Sequence, residues 1–543
     1  MRGRVQLVLH GHMPYVLHHG TWPHGSTWLY EAALEVYLPL LDLLSRTDMA
    51  LTLGLTPILL TQLRSKEFVS GMYRFMKEQL RLVALDKQHP DFSENAQYWE
   101  DIFHKRLSQF SQLEGDIVSG FVSCAQEGRL ELLSSFATHG YAPLLSKDET
   151  IIEQLRVGLE ISRSILGFQP KGIWLPECAF APQREVAGKL RIGVDRILEA
   201  AGVRFFYVED QAFVHARSEG LFLENRFYKV DWDAVHREPQ WAWRSLLEPH
   251  WVSTVGQASK VAAFAREPQS CAQLWSADLG YPGDPLYLEF HKKSPQSGLR
   301  YWRVTDRTMG LDAKKLYSPE LAQQRARLHA FHFVKHCTQT LHRYAQSGRN
   351  GVLTCCFDAE LFGHWWHEGV YFLEAVHQEL SRTAEIQLRT GSEILDETPP
   401  DKVVWLPECS WGAQADHRTW WNAETEWIWK SIHHAELRYQ TIQTQIDLLS
   451  NKRKKELDEF LQRLQWCFLL LQASDWPFVI STKGAVDYGF RRFSLHLERF
   501  ERLCVLLEKS KNREEWTKQD HIVYAEICSF EELPAFRKVS HDK

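Results

Sequence analysis

The chain begins with the apolar run Val5-Gln6-Leu7-Val8-Leu9, which leads directly into His10-Gly11-His12-Met13-Pro14-Tyr15. A run of this length predicts a buried β-strand, and the polar residues after it predict a loop at the carboxyl end of that strand. The pattern recurs along the chain, with apolar runs at 51–55, 171–175, 204–208 and 352–357. Polar or charged residues follow these runs as well, among them Glu177, Glu209 and Asp358.

Helical segments lie between the runs, at 30–44, 149–165 and 319–344. Short apolar strands that alternate with helices predict an α/β fold with a parallel sheet. In a barrel of such units, the carboxyl ends of the strands form the end that carries the chemistry. Two segments break the alternation: residues 66–128 predict an inserted helical subdomain, and the chain from about 424 onward predicts an appended helical bundle.

Composition excludes several classes of protein. The 543 residues carry 63 Lys and Arg against 69 Asp and Glu, so the formal net charge is −6. This balance argues against a nucleic-acid binder and against a polybasic membrane surface. No stretch approaches the roughly 18–20 apolar residues that span a bilayer. None of the ten cysteines forms a Cys-x-x-Cys pair, so we expect free thiols in a reducing, cytoplasmic compartment.

Two histidines follow the first predicted strand. His10 and His12 are two residues apart, so their imidazoles point the same way if the chain is extended. Such a pair could ligate a metal ion or hydrogen-bond a polyol. His139, in Ala137-Thr138-His139-Gly140-Tyr141, could supply a third metal ligand through space. The residues alone leave both interpretations open.

Two carboxylates, Glu177 and Asp358, follow later strands. At one end of a barrel, such a pair can cleave a glycosidic bond: one carboxylate attacks or stabilises the anomeric carbon, and the other protonates the leaving oxygen. The alternative is a helix-capping or loop role, because any barrel carries several acidic strand ends.

Tryptophan is unusually frequent, with 21 residues against 17 tyrosines. Most indoles fill protein cores, but their flat faces also suit the CH-rich faces of sugar rings. The candidates for sugar contact are Trp22, Trp28, Trp275, Trp365, Trp366, Trp411, Trp420 and Trp421. Histidines, carboxylates and indoles together point to a neutral carbohydrate, which also agrees with the lack of a basic surplus.

The pentapeptide Trp-Leu-Pro-Glu-Cys occurs at 174–178 and again at 405–409. No other similarity accompanies it, so we interpret it as a Pro-Glu turn used in two roles and not as a repeat architecture.

Longer motifs carry a family resemblance. They are the segments that begin at His10 and Ala137, together with Gly172-Ile173-Trp174-Leu175-Pro176-Glu177-Cys178-Ala179-Phe180, Trp275-Ser276-Ala277-Asp278-Leu279-Gly280-Tyr281-Pro282-Gly283-Asp284, Asp358-Ala359-Glu360-Leu361-Phe362-Gly363-His364-Trp365-Trp366, Leu406-Pro407-Glu408-Cys409-Ser410-Trp411-Gly412 and Ser474-Asp475-Trp476. On these motifs the chain resembles glycoside hydrolase family 57 and, within it, the 1,4-α-glucan branching enzymes.

The resemblance implies an incomplete (β/α)7 barrel at 1–400 with a helical insertion at 66–128, and a C-terminal helical domain at 401–543 that contributes to the active-site cleft. It implies that Glu177 is the nucleophile and Asp358 the general acid/base, while Glu408 in the second pentapeptide is structural. The substrate-binding positions that it implies are His10, His12, Trp28, His139, Arg266, Trp275, Gly283, Trp411, Trp420 and Asp475. Among these, Trp411 and Trp420 match a glucan-stacking pair.

The implied reaction is a retaining double displacement on an α-glucan, with transfer of the cleaved chain to a 6-hydroxyl. Retention requires the two carboxyl groups to lie about 5–5.5 Å apart. We expect a raised pKa at Asp358, an ionised Glu177, and no metal ion or organic cofactor. The histidines then hydrogen-bond sugar hydroxyls.

Three departures from the family pattern qualify this expectation. Ala265-Arg266-Glu267 replaces Gly-Arg-Asp, which lengthens the carboxylate beside the arginine, and Cys409 replaces a Gly, which matters only if the backbone there needs a positive φ. Segment 218–256 differs most: family members carry there a mobile loop with a tyrosine that covers the site, and Tyr228 is the candidate here. A poor cover would admit water, so hydrolysis would compete with transfer.

We therefore expect a cytoplasmic branching enzyme whose partner is an α-glucan, with no nucleic-acid or membrane partner; the sequence leaves the oligomeric state open, a monomer included. The main alternative is an α-amylase or 4-α-glucanotransferase with the same residues. A non-catalytic glucan-binding protein is disfavoured because both carboxylates are present. A metal-dependent hydrolase would use His10, His12 and His139.

Overall fold

The strands of the protein fall into two main sheets. The computed structural model describes residues 3–223, 226–230, 245–254, 257–276, 279–530 and 533–534. The strands in these ranges are β1 (Gly3–Gly11), β2 (Leu51–Leu55), β3 (Leu130–Leu133), β4 (Gly172–Ile173), β5 (Arg184–Val186), β6 (Lys189–Arg191), β7 (Phe205–Val208), β8 (Arg217–Leu223), β9 (Arg226–Lys229), β10 (His250–Thr254), β11 (Gln257–Ala265), β12 (Val352–Asp358), β13 (Ile386–Leu388) and β14 (Lys402–Trp405).

Helices surround the sheets. The α-helices in the same ranges are α1 (Ser26–Ala32), α2 (Leu38–Ser45), α3 (Pro57–Leu63), α4 (Lys66–Asp86), α5 (Ser93–Gln112), α6 (Ile117–Gln126), α7 (Asp148–Leu166), α8 (Val194–Ala200), α9 (Asp210–Val214), α10 (Pro268–Trp275), α11 (Pro319–Ala345), α12 (Gly369–Ser381), α13 (Gly391–Glu397), α14 (Glu426–Asp447), α15 (Asn451–Glu456), α16 (Asp458–Leu470), α17 (Asp475–Ser481), α18 (Val486–Asn512) and α19 (Lys518–Phe530). A π-helical turn, Ala33–Tyr37, connects α1 to α2. A bilayer-spanning helix is absent from the described ranges, since none pairs sufficient length with sufficient apolarity.

Seven strands follow one another in a hydrogen-bonded series. β1 pairs in parallel with β12 on one side and with β2 on the other, and β2 pairs in parallel with β3. A parallel bridge between Ser134 and Ile173 joins β3 to β4, and parallel pairing continues to β7 and then to β11. The amide of Glu267, just after β11, donates to the carbonyl of Thr354 in β12 at 2.8 Å. The series thus returns to its start and directs its carboxyl ends to one edge.

Further strands extend this arrangement. β10 is antiparallel to β11 and parallel to β14, and β14 is followed by the antiparallel strands β8 and β9. β13 pairs with the first residues of β1, and β5 and β6 form a separate hairpin.

The predicted α/β fold with a parallel sheet is confirmed. All five apolar runs contain strands, but β3 and β11 were not predicted. β3 has only four residues, and β11 is rich in alanine and polar residues, so neither forms a conspicuous apolar run. Helices α4, α5 and α6 lie between β2 and β3, and helices α14 to α19 follow the last strand.

The C-terminal helices are hydrogen-bonded to the loop after β3 and to α7. Thr138 Oγ1 donates to the carbonyl of Leu469 at 2.5 Å, and the amide of Ser474 donates to the carbonyl of His139 at 3.0 Å. The buried Glu436 of α14 accepts hydrogen bonds from the amide and hydroxyl of Ser146 at 2.9 and 2.6 Å and from the amide of Lys147 at 3.2 Å. The bond from Lys147 satisfies the amide of the residue that caps α7, which has no partner inside the helix, and the bonds from Ser146 hold the loop just before it.

Replacing the buried Glu436 by alanine should destabilise the protein, because it leaves these partly buried donors unpaired. We expect the free energy of unfolding to fall by about 2 kcal/mol, measured as a lower midpoint in urea. Glu426→Ala is the matched control on the same helix: Glu426 forms only a half-exposed pair with Lys430 at 2.9 Å, worth about 0–1 kcal/mol. Equal effects of the two substitutions would contradict the role assigned to Glu436.

Candidate active site

Glu177 lies on a short 3₁₀ turn, Pro176–Cys178, directly after β4. Its backbone is left-handed, with φ 61° and ψ 24°, a conformation that costs a non-glycine residue about 1–2 kcal/mol. The turn is held by its neighbours: the amide of Ala179 donates to the carbonyl of Pro176 at 3.0 Å, and the amide of Trp411 donates to the carbonyl of Glu177 at 2.9 Å. Such strain is typical of functional sites, where the surroundings fix the backbone.

The two Trp-Leu-Pro-Glu-Cys segments pack against each other. Phe180 and Cys409 exchange backbone hydrogen bonds of 3.0 and 3.1 Å. Cys409 does not have a positive φ, so its replacement of a glycine causes no strain. Glu408 forms an ion pair with Arg184 and a hydrogen bond with His417 at 2.7 Å. These contacts agree with a structural role for Glu408. Of the two Pro-Glu glutamates, Glu177 is therefore the candidate for catalysis.

Each carboxylate oxygen of Glu177 accepts one hydrogen bond. Trp411 Nε1 donates to Oε2 at 2.7 Å, and Ser474 Oγ donates to Oε1 at 2.7 Å. Burial raises the pKa of Glu177 and the charge of Asp475 adds to this rise, while the hydrogen bonds from Ser474 and Trp411 and the nearby His12 act in the opposite direction. The two donors therefore stabilise the ionised form that a nucleophile requires.

Asp358 lies at the end of β12, beside His10 in the register of the sheet. Burial and the negative charges of Glu360 and Glu177 raise its pKa well above the ordinary value, and Arg266 opposes the rise. The structure therefore brings the two predicted catalytic carboxyl groups into electrostatic contact. Asp358 has the environment of an acid that stays protonated.

Glu360 was not predicted as a site residue. Tyr37, the last residue of the π-helical turn, donates its hydroxyl to Glu360 Oε1 at 2.5 Å. Burial raises the pKa of Glu360, which the bond from Tyr37 opposes. Its position two residues after Asp358, in the same quoted motif, was the available signal. π-Helical turns often occur at functional sites.

The rings of His10, His12 and His139 stack on one another, with His10 and His139 buried and His12 partly exposed. The His12 and His139 rings are 3.9 Å apart between centroids, and His10 Nε2 lies 3.1 Å from His139 Nε2. His12 bonds to Thr56 Oγ1 at 3.1 Å and to both oxygens of Asp475 at 3.1 and 3.0 Å. Burial acts to lower the pKa of His12, but Asp475 outweighs it and the pKa is raised; burial lowers the pKa of His10 and His139.

Within the described ranges, His12, His139 and Asp475 are the group with metal-ligand geometry, their ligand atoms lying within 4.8 Å of one another. Two imidazoles and one carboxylate suit a transition metal. However, His12 and Asp475 are already bonded to each other, and His139 Nδ1 lies 2.8 Å from Ser474 Oγ. The stack is thus internally hydrogen-bonded, and the absence of a metal remains a prediction.

Arg266 follows β11 and donates through Nη1 to Glu209 Oε2 at 2.8 Å. Glu209 follows β7, another strand of the series, and was not predicted as a site residue. The neighbouring Glu267 instead caps α10, accepting from the amides of Ser270 at 2.7 Å and Gln269 at 3.2 Å. The longer carboxylate in Ala265-Arg266-Glu267 therefore serves the helix, and the partner of the arginine comes from elsewhere.

The predicted tryptophans occupy different positions. The ring of Trp411 lies edge-on to Trp275 at 6.4 Å and to the buried Trp174 at 5.1 Å. Trp420 is only 1% exposed, and its ring packs against Tyr141 at 4.6 Å. In this conformation Trp420 presents no free face to a sugar, so its stacking role remains a prediction, as does that of Trp28, which lies farther out beside Tyr488 at 6.3 Å.

Gly283 lies at an open cavity of about 640 Å³. Its carbonyl accepts a hydrogen bond from Arg307 Nε at 3.0 Å, and an added Cβ would meet the same guanidinium at 2.0 Å. Asp284, Asp306 and His329 line the cavity as well. These contacts do not reach the Glu177 carboxylate.

The predicted lid is described only in part. Tyr228 lies on β9, opposite Leu221 of β8, and is 47% exposed. Residues 224–225, 231–244 and 255–256, which include Trp232, Trp241 and Trp243, lie outside the described ranges. The lid role of Tyr228 remains a prediction.

Comparison with known proteins identifies the family. The family model for glycosyl hydrolase family 57 matches residues 6–407, and a model described as the C-terminal region of 1,4-alpha-glucan branching enzyme matches residues 431–526. The chain belongs to glycosyl hydrolase family 57, which confirms the resemblance predicted from the motifs.

Three relatives illustrate the similarity. A 1,4-alpha-glucan branching enzyme of Thermococcus kodakarensis is 36% identical over 517 residues, which cover 93% of this chain and 74% of the relative. The crystal structure of a branching enzyme from Pyrococcus horikoshii superposes with a TM-score of 0.85 at 34% identity, covering 97% of this chain and 94% of the other. The α-amylase AmyC of Thermotoga maritima superposes with a TM-score of 0.81 at 28% identity, covering 97% and 96%.

Replacing Trp411 by phenylalanine should shift the acid limb of the pH profile to higher pH. The change removes the N–H that favours ionised Glu177, so the carboxylate is protonated at a higher pH and kcat/KM is lost earlier on acidification. We expect a shift of about one pH unit, measured as kcat/KM for α-glucan cleavage against pH. Trp366→Phe is the control, because the Nε1 of this buried indole has no partner in the described part of the chain. An equal shift in both variants would refute the assignment.

Replacing Glu360 by glutamine should move the alkaline limb of the pH profile of kcat/KM for α-glucan cleavage to lower pH. The carboxylate of Glu360 raises the pKa of Asp358, so removing this charge lets Asp358 lose its proton at lower pH. Glutamine keeps an oxygen that can accept the bond from Tyr37. A Glu360→Gln variant whose alkaline limb coincides with that of the wild type would show that Glu360 does not set the protonation of Asp358.

Proposed function

We propose that this protein is a 1,4-α-glucan branching enzyme that cleaves α-1,4 bonds and transfers the cleaved chain to a 6-hydroxyl of an α-glucan. One observation carries the proposal: the segment that matches the branching-enzyme C-terminal model, residues 431–526, supplies Ser474 and Asp475 to the site built by the family 57 segment. The relatives named 1,4-alpha-glucan branching enzyme align over more than nine-tenths of the chain.

The proposed architecture is an incomplete (β/α)7 barrel at 1–400 with a helical insertion at 66–128 and a C-terminal helical domain at 401–543 that contributes to the active-site cleft. The seven-strand series and its return contact between Glu267 and Thr354 support the barrel. Barrel enzymes form their active sites from the loops at the carboxyl ends of the strands. Glu177, Glu209, Arg266 and Asp358 all follow or end strands of the series.

In the first step, Glu177 attacks the anomeric carbon of an α-1,4-linked glucose while Asp358 donates its proton to the departing 4-oxygen. Formation of the glycosyl ester removes the negative charge of Glu177. Because this charge raises the pKa of Asp358, that pKa falls once the ester has formed, and Asp358 stays ionised after giving up its proton. The aspartate can then remove a proton from the 6-hydroxyl of an acceptor glucan, which attacks the ester and regenerates Glu177.

Among the residues that the motifs predict to contact substrate, Trp411 Nε1 lies 2.7 Å and His139 Nδ1 lies 3.7 Å from the carboxylate of Glu177, and Arg266 adds a positive charge near Asp358. The rest of that predicted set comprises His10, His12, Trp28, Trp275, Gly283, Trp420 and Asp475. The reaction uses no metal ion or organic cofactor, and activity should survive exhaustive chelation.

An α-amylase is the second candidate, favoured by the close superposition on AmyC. The two functions differ only in whether water or a glucan hydroxyl attacks the ester, so the residues around Glu177 do not separate them. A 4-α-glucanotransferase would use a 4-hydroxyl in the same way.

Linkage analysis of the products from amylose tests the proposal. The wild type should generate α-1,6 linkages that a debranching enzyme removes, without an equivalent rise in reducing ends. Reducing ends alone would favour the amylase, and altered chain lengths without branches would favour the 4-α-glucanotransferase. Glu177→Gln should lower turnover by about 10⁴-fold or more while glucan binding persists. Unchanged turnover would remove Glu177 from the reaction.

A further inference from the structure

We propose that His10 and His139 are positioning residues for Glu177 and act on it through Ser474. The four residues form a hydrogen-bond chain in which each member donates to the next, from His10 to Glu177. The inference rests on the proposed function, in which Glu177 is the nucleophile. The chain, which we call the serine–histidine chain, consists of three contacts: His10 Nε2 to His139 Nε2 at 3.1 Å, His139 Nδ1 to Ser474 Oγ at 2.8 Å, and Ser474 Oγ to Glu177 Oε1 at 2.7 Å. His10, His139 and Ser474 are all buried.

The chemistry of the end group sets the direction. An ionised carboxylate only accepts hydrogen bonds, so the hydroxyl hydrogen of Ser474 must point to Glu177. Ser474 then has only lone pairs to offer His139, so His139 must carry its proton on Nδ1. In a neutral imidazole the other nitrogen is an acceptor. His139 Nε2 therefore accepts, and His10 must donate from Nε2.

The far end of the chain agrees with this assignment. A neutral His10 protonated on Nε2 has a bare lone pair at Nδ1, and Nδ1 of His10 has no hydrogen-bond partner in the described ranges. An unpaired acceptor is tolerated in a protein interior better than an unpaired N–H. Burial lowers the pKa of both histidines, which favours the neutral forms that the chain requires.

Three separate elements anchor the chain. His10 is the last residue but one of β1 and stacks on Trp174 with ring centroids 4.7 Å apart. His139 follows β3, and its carbonyl accepts the amide of Ser474 at 3.0 Å. Ser474 precedes α17 in the C-terminal helices. These contacts hold His10, His139 and the backbone of Ser474 in place, so the hydroxyl of Ser474 stays directed at Glu177. The carboxylate of Glu177 is thereby kept ionised and oriented.

This role differs from direct sugar contact. Both ring nitrogens of His139 are occupied by the serine–histidine chain. Nδ1 of His10 faces Gly54, at 3.4 Å from the position of an added Cβ. The unpaired Nδ1 of His10 is buried, so in this conformation neither side chain presents a free polar atom to a sugar hydroxyl.

Substitutions at His10 leave the charged and titratable groups that face Glu177 in place. These groups are His12, His139, Tyr141, Asp358 and Asp475. A change in the pH at which Glu177 is protonated can therefore be traced to the loss of the donor at position 10.

A matched pair of variants tests the proposal. Glutamine at position 10 can place an N–H donor where Nε2 of histidine lies, whereas methionine has a similar length and no donor. We expect the acid limb of kcat/KM for α-glucan cleavage to stay near its wild-type position in His10→Gln. It should move upward by about half a pH unit in His10→Met and by about one unit in Ser474→Ala, where a bond to the carboxylate itself is lost. A purely structural role for His10 would affect both position-10 variants alike, and that result would overturn the proposal.

Neutron diffraction from wild-type crystals grown at neutral pH in deuterated buffer locates the hydrogen positions directly. This test does not require any variant to fold. We expect deuterium on His139 Nδ1, on His10 Nε2 and on Ser474 Oγ directed at Glu177. Deuterium on His139 Nε2 would overturn the chain. This reading does not depend on the reaction catalysed. If Glu177→Gln retained full turnover, the proposed function would fail while the hydrogen positions could still be as expected.

Discussion

The carboxylate of Glu177 is held by two hydrogen bonds of 2.7 Å that come from parts of the chain far from it, Trp411 and Ser474. The strands and helices described above all contribute residues around this carboxylate. The parallel strands bring Glu177, Asp358, His10 and His139 to one edge, and the C-terminal helices dock on the loop after β3 so that Ser474 can reach the carboxylate. The left-handed backbone of Glu177 is held by separate backbone hydrogen bonds, from the amide of Ala179 to the carbonyl of Pro176 and from the amide of Trp411 to the carbonyl of Glu177.

Glu177 and Asp358 are both only partly exposed, and the charge of one acts on the other, yet the two carboxyl groups acquire different properties because their surroundings differ. Glu177 accepts two hydrogen bonds, whereas Asp358 accepts none from a side chain in the described part of the protein and faces the negative charges of Glu360 and Glu177. Desolvation acts on both, but only Glu177 has donors that oppose it. This asymmetry supports the proposal that Glu177 attacks and Asp358 transfers the proton.

The duplicated pentapeptide shows how little a local sequence says about the role of a residue. Both copies contain a Pro-Glu pair that follows an extended segment. In the first, Glu177 adopts a positive φ and receives donors from the indole and the hydroxyl; in the second, Glu408 is bound by Arg184 and His417. Each copy supports the other, since Phe180 and Cys409 exchange backbone hydrogen bonds.

Local pattern was enough to predict the α/β class, five of the seven strands in the series, and the two carboxylates at strand ends, because short apolar runs and the residues that follow them are properties of neighbouring positions. Resemblance to a family added the assignment of roles. Three features of the site could not be predicted from the sequence. Ser474 donates to Glu177 across 297 positions of the chain. Glu209 is the partner of Arg266, and Trp420 is buried. Such contacts depend on how helices and strands pack against one another, and hydrogen-bond geometry and desolvation arise only after that packing is complete.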